Sequence, residues 1–173
     1  MFTNLQTDRL HLKLISVEDR EFIFSQFSDD IVNKYLFDAE PLTDINGADE
    51  IIDFYVNSKS MSQCRWVLVR KSDNQKIGTC GFHCWDKENG VVDVGYDLKA
   101  DHWGHGYMQE ALKTIIAFAF NIMKANKINA CISVDNQKSI SFAEKSGFLF
   151  QGQMKDEIFK GNKYPHRIYS LDL

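Results

Sequence analysis

Proline is scarce in this chain and long apolar runs are missing. Two prolines, Pro41 and Pro165, and ten glycines among 173 residues leave no room for a collagen-like, proline-rich or low-complexity segment. No repeat period or flexible linker interrupts the sequence. One domain over residues 1–173 is therefore expected, since a single domain averages about 150 residues. The longest apolar stretch, Ile115 to Met123, falls well short of the ~18 residues of a membrane-spanning helix. The opening segment, Met1 to Arg9, is polar and charged. Neither export nor a membrane span is expected, and the location read from this is cytoplasmic. The four cysteines, Cys64, Cys80, Cys84 and Cys131, lie in apolar stretches without the spacing of a disulfide framework, which predicts reduced core thiols. A net charge of -4 with acids and bases intermixed argues against a non-specific nucleic-acid binder. It suits a cationic partner and also ordinary solubility.

Hydropathy periods divide the chain. Leu10, Leu12 and Leu14 alternate with His11 and Lys13, the period of a half-buried strand, and Ser16 with Asp19 then resembles a capped helix start. Helices are expected to about Phe27, over Ile31 to Leu36, and from Thr43 with Ile51, Ile52 and Tyr55 on one face. From Arg65 the pattern changes. Trp66 to Arg70, Lys76 to Trp85 and Val91 to Leu98 are rich in branched and aromatic residues and separated by polar turns, which predicts an antiparallel meander. A long apolar helix from Met108 to about Ala125, a strand from Ala130 to Val134, and a helix from Lys138 to Ser146 stopped by Gly147 follow. Strands around Phe148 to Phe159 and Arg167 to Leu171, turning near Gly161, close the chain, with both prolines expected at element boundaries. The sum is a mixed α/β sheet flanked by helices.

Trp103-Gly104-His105-Gly106-Tyr107-Met108 lies between a strand and a long helix. Two glycines there let the backbone turn tightly, and the first N–H groups of the helix, with its dipole, face any anion: this is a pyrophosphate cradle. A plain turn is the bland alternative. A dinucleotide fold fits poorly, because the preceding strand belongs to a meander and no complete Gly-x-Gly-x-x-Gly follows. Cys80, His83 and Cys84 suggest a metal site, but four residues along a strand separate the sulfurs by about 13 Å, too far for one zinc. His11, His102, His105 and His166 lack a Ser or Cys partner at diagnostic spacing, so a hydrolase triad has little support.

Several motifs occur together: Thr7-Asp8-Arg9-Leu10, Val94-Gly95-Tyr96, Trp103 to Leu112, Asn136 with Ser139, and Glu144-Lys145-Ser146-Gly147-Phe148. In this order, and over nearly everything from Thr7 to Leu171, the chain resembles the GNAT superfamily of N-acetyltransferases, in particular its RimJ/RimL-like branch. The resemblance implies a mixed, mostly antiparallel sheet of about seven strands, splayed between the fourth and fifth, and acetyl-CoA as cosubstrate with no metal. It implies that coenzyme A pairs with the exposed backbone of Tyr96, Asp97 and Leu98, where N–H groups also polarise the thioester carbonyl. Trp103, Gly104, His105, Gly106, Tyr107 and Met108 would hold the pyrophosphate, and Asn136 would reach the pantetheine arm while capping its helix.

Catalytic roles follow from the same resemblance. Asp93 stands where this branch carries an acid, usually Glu, that deprotonates the incoming ammonium; only a neutral amine has the lone pair to attack a carbonyl. Asp97 shares a strand face with it and is the second candidate. Many relatives protonate the departing thiolate with a tyrosine seven residues after the Asn, but Ala143 stands there; Ser139, beside a helix N-terminus, is the substitute donor. Trp103 replaces the more usual Arg or Gln, leaving the backbone to bind phosphate. The expected activity is direct acetyl transfer to a primary amine: a protein N-terminus, a polyamine, an amino sugar or an antibiotic. A non-catalytic acyl-CoA-binding or sensing module is the alternative. No nucleic-acid or membrane partner is expected, and the expected assembly is a homodimer.

Overall fold

The computed structural model describes residues 2–37, 39–57 and 62–173, so that Met1 of the polar opening lies outside the described residues. Strand β1 is Leu5–Gln6 and β2 is Leu10–Leu14. Three helices follow: α1, Arg20–Phe27; α2, Asp30–Asn33; and α3, Asn46–Val56. The meander is β3, Cys64–Arg70; β4, Lys76–Asp86; and β5, Val91–Leu98. Helix α4 spans Tyr107–Phe118, β6 Lys127–Ser133, α5 Gln137–Lys145, β7 Leu149–Phe159 and β8 Asn162–Asp172. The eight strands form one sheet in the order β1-β2-β3-β4-β5-β6-β8-β7. Among the described residues only β5 and β6 pair in parallel. The expected mixed, mostly antiparallel architecture is therefore present with one strand more than the seven expected. The addition is β1, whose two residues are too few to show any period.

Strand alternation decides which face each residue serves. Val92 and Val94 turn toward α4, where Met108, Ala111, Leu112 and Ile115 recur at helical spacing and close the larger core around Trp66 and Phe82. Val67 and Val69 turn to the other face and pack against Ile23 of α1 and Ala48 and Ile52 of α3. Ahead of α1, the Asp19 carboxylate accepts from the Ser16 N–H at 2.9 Å and pairs with Lys76 at 2.6 Å, so the helix start read from Ser16 and Asp19 is also tied to β4.

Some boundaries differ from expectation for identifiable reasons. The helix expected to reach Ala125 is regular only to Phe118. It then widens into a π turn over Ala119–Met123, ended by Lys124 in the left-handed region. Pro165 lies inside β8, paired with Asp156, rather than at a boundary. It is tolerated because its carbonyl, which accepts from the Val134 N–H at 3.1 Å, and so its nitrogen, faces the β6 side just past that strand's last pair, Ser133 with His166, so the missing donor falls at the very end of that ladder. Of the four expected core thiols only Cys64 and Cys80 are buried; Cys84 and Cys131 are exposed. Cys84 sits with φ 53 in a β-bulge between β4 and β5, and Cys131 occupies the face of β6 away from α4.

Candidate active site

The parallel pairing of β5 with β6 is short. Val91, Val92 and Asp93 pair with Lys127, Ile128 and Asn129, and beyond that point the strands separate. This is the expected splay, and Asp93 stands at its fork. Along the remainder of β5 the antiparallel ladder with β4 sets the direction of each peptide. The Lys99 N–H donates to the Ile77 carbonyl, and Asp97 lies opposite Thr79. Alternation then turns the backbone groups of Asp97 toward β4 and those of Tyr96 and Leu98 toward the gap. Of the three residues expected to pair with coenzyme A, two present their main chain to the open edge. Asp97 does not, because its N–H and C=O belong to the ladder.

The glycine loop opens from the end of the same strand. Gly104 and Gly106 adopt φ 78 and 77, and Gly106 caps α4. A side chain in that backbone region is strained, which explains glycine at both places. The Trp103 indole N–H donates to the Leu98 carbonyl at 2.9 Å, folding the loop back onto β5. From the turn between β1 and β2, the Arg9 guanidinium donates to the His105 carbonyl at 2.9 Å and to Glu110 in the first turn of α4 at 2.7 Å, while Thr7 also bonds Glu110. Burial works to raise the Glu110 pKa, but the donors from Thr7 and Arg9 outweigh it and hold this carboxyl below its ordinary range. The Thr7-Asp8-Arg9-Leu10 motif is thereby explained as a clamp on the loop. Sequence reasoning missed Lys138. Its ammonium lies 4.3 Å from the Trp103 ring centre, so a cation from α5 stands beside a loop whose own first residue supplies none.

Asp93, Gly95 and Asp97 share the sheet face that looks toward α1 and α3, but the two carboxylates have different surroundings. Asp97 accepts from Arg65 at 3.0 Å, from Gln26 at 2.7 Å and from the Thr79 hydroxyl. Its side chain is 8% exposed. Arg65 is itself held against the rings of Phe27 and Tyr55, at 5.4 and 5.0 Å. Asp93 is half-buried, with His83 as its cross-strand partner on β4 and Asn129 on β6. The His83 ring lies over Gly95, within 3.4 Å of where a β-carbon would be. The sequence presents His83 only as part of a Cys80, His83 and Cys84 grouping; its position opposite Asp93 depends on strand register, which no local motif signals. Cys80 and Cys84 end on different sides, one in the core and one in the bulge. Among the described residues no group of three or more His, Cys, Asp or Glu is placed to hold a metal.

On the other side of the fork, Asn136 caps α5 by accepting from the Ser139 N–H at 3.2 Å. The Ser139 hydroxyl lies 2.9 Å from the Tyr96 hydroxyl. Ala143, one turn on, is buried at 1% exposure. Burial pushes the Tyr96 phenol up to about 12, so it stays protonated near neutral pH.

An open β5 edge, a glycine loop capping a helix and a carboxylate at the fork define an acyl-CoA-binding transferase architecture. The acetyltransferase (GNAT) domain family matches residues 9–149. The chain is 33% identical over 169 residues to the uncharacterized N-acetyltransferase p20 of Bacillus licheniformis, covering 96% of this chain and 94% of that one. It is 30% identical over 173 residues to the uncharacterized N-acetyltransferase YoaA of Bacillus subtilis, covering 99% and 97%. The fold superposes on the crystal structure of a spermidine N-acetyltransferase from Vibrio cholerae in complex with CoA and spermine, with TM-score 0.82, 18% identity and 95% of each chain covered. The protein belongs to the GNAT acetyltransferase family. It is an acetyl-CoA-dependent acetyltransferase, and acetyl-CoA is its cosubstrate.

Proposed function

We propose that this enzyme acetylates a primary amine by direct attack on acetyl-CoA, with Asp93 as the base, and that it belongs to the RimJ/RimL-like branch. The observation that carries the reading is the position of Asp93 at the fork, the last β5 residue paired with β6. A thioester following the open edge of β5 would end beside it. Asp93 takes one proton from the ammonium, directly or through water; the neutral nitrogen then attacks the thioester carbon and loses its second proton to solvent, and the C–S bond breaks with its electron pair on sulfur. The backbone of Tyr96 and Leu98 would pair with the pantetheine arm. The loop Trp103 to Met108 would bind the pyrophosphate, and Asn136 would reach the arm from the other side. A covalent acyl-cysteine has little support: although both residues are exposed, partial desolvation of the sulfur pushes the Cys131 thiol up to about 11 and also raises Cys84, so neither is a ready thiolate.

The acceptor is a protein N-terminus or a small amine such as a polyamine, amino sugar or antibiotic. Spermidine acetylation in the Vibrio cholerae structural neighbour favours including polyamines. A single-domain, cytoplasmic homodimer completes the proposal; among the described residues no helix is long and apolar enough to cross a membrane. A panel of these amines, followed by release of free CoA thiol, tests the activity. Turnover of at least one acceptor is expected. A stabilising shift in Tm with acetyl-CoA but no turnover of any amine would instead make the protein a binding or sensing module.

A further inference from the structure

The contact between Tyr96 and Ser139 joins two elements that flank the fork without pairing with each other. Tyr96 projects from the β5 face opposite Asp93. Its ring meets Phe142 of α5 nearly edge-on, with centres 5.0 Å apart and planes at 71°. That packing leaves the phenol oxygen little freedom and brings it to 2.9 Å from Ser139 Oγ. Ser139 is anchored in turn through its N–H to the Asn136 side chain. A hydroxyl has one proton to give and two lone pairs to receive with. If Tyr96 donates, Ser139 keeps its own proton for a third group. Ala143, packed in the core, has no hydroxyl to offer.

We propose that Tyr96 is a positioning residue for the transfer step: its phenol donates to Ser139 Oγ and thereby directs the serine proton at the departing sulfur of coenzyme A. This rests on the acetyl-transfer reading above. The pair acts as a hydrogen-bond donor and not as a net acid. A phenol titrating at about 12 is more than three units less acidic than an ordinary thiol near ~8.5, so proton transfer from the pair to the thiolate runs uphill. The balance closes without it. Asp93 takes one proton from the ammonium, the amine lone pair forms the new C–N bond, the nitrogen's second proton leaves to solvent, the C–S bond breaks with both electrons on sulfur, and water protonates the thiolate later. What Ser139 lowers is the energy of charge on sulfur while that charge develops, as fixed donors do in an oxyanion site.

The direct test is the acidity of the CoA thiol when bound, followed by thiolate absorbance during a pH titration, which needs no acceptor. Wild type should bind CoA with its thiol acidified. Tyr96→Phe, which keeps the ring and its packing, should lose about tenfold of that acidification, and Ser139→Ala about as much. The double variant should lose no more than Ser139→Ala alone, since both act through one hydrogen bond to sulfur. A purely structural Tyr96 would weaken CoA binding without moving the bound thiol's titration. Equal thiol acidity on wild type and Tyr96→Phe, or additive losses in the double variant, would overturn the proposal. A silent amine panel with this titration intact would sink the acetyl-transfer reading and leave the thiolate site standing. Failure of CoA to bind at all would overturn both.

Discussion

Asp93 and Asp97 sit two residues apart on one face of β5 and have opposite surroundings. Asp97 gives its lone pairs to Arg65, Thr79 and Gln26, binding together β3, β4 and α1. Asp93 stands where the strands part. Replacing Asp93 by Asn keeps its shape but removes the basic charge, so turnover near neutral pH should fall by about 100-fold. The Tm shift with acetyl-CoA should be unchanged. The loss should shrink as pH rises toward the amine's own pKa, because solvent then supplies neutral amine; pH-rate profiles of the two proteins check this. Asp97→Asn should differ in kind. It removes the charge that faces the Arg65 guanidinium, 15% exposed, and should cost about 3 kcal/mol or more in denaturant unfolding. If Asp97→Asn were instead stable and inactive while Asp93→Asn kept its rate, the base would be Asp97. Nothing local to the sequence separates these two acids, since both follow the same alternation. The difference comes from Arg65 and Gln26, which are 32 and 71 positions away from Asp97 in the chain.

At the scale of elements, the period-2 and helical patterns located β2 to β5, α4 and α5 because each buries one face against a large core. The ends were less legible. The π turn after Phe118 and the bulge at Cys84 interrupt regular ladders, and neither has a compositional signal. The clamp of the β1–β2 turn on α4 is likewise tertiary: Thr7 and Arg9 meet Glu110 across about a hundred residues of chain. Glu110→Gln should weaken this clamp, and its pH dependence is determined by sign. The folded Glu110 carboxyl titrates below its ordinary value, so its contribution to stability is present above about pH 4.5 and is lost as pH falls through the lowered folded value. The variant should be less stable than wild type near neutrality, by on the order of 2 kcal/mol, and the gap should narrow on acidification. Denaturant unfolding across pH measures it. A gap constant down to strongly acidic conditions would mean that the carboxylate charge does not hold the clamp.

At the scale of the molecule, β7 ends the sheet with an edge unpaired among the described residues, and Leu149, Met154 and Ile158 along it are 65, 50 and 60% exposed. A free edge with apolar side chains invites a second strand. The proposed homodimer is expected to use it. Light scattering should then give a mass near twice the 20.0 kDa of one chain, and Ile158→Lys should return it to the single-chain value while leaving acetyl-CoA binding intact. A single-chain mass for wild type at working concentration would remove the dimer.

The amino-acid sequence by itself determined the kind of fold, the family and the glycine loop that caps α4. These depend on periodicity and on short contiguous motifs: alternation in β5, the apolar stripe of α4, and two glycines placed where only glycine adopts the backbone without strain. Tertiary structure alone decided which groups of Tyr96, Asp97 and Leu98 face the gap, which acid is tied into an ion pair, and that Ser139 has a phenol for a partner. Each of those depends on register or on contacts between residues distant along the chain. Tyr96 and Ser139 are 43 positions apart, and only the packing of α5 across the open end of β5 brings their two hydroxyls within hydrogen-bonding reach.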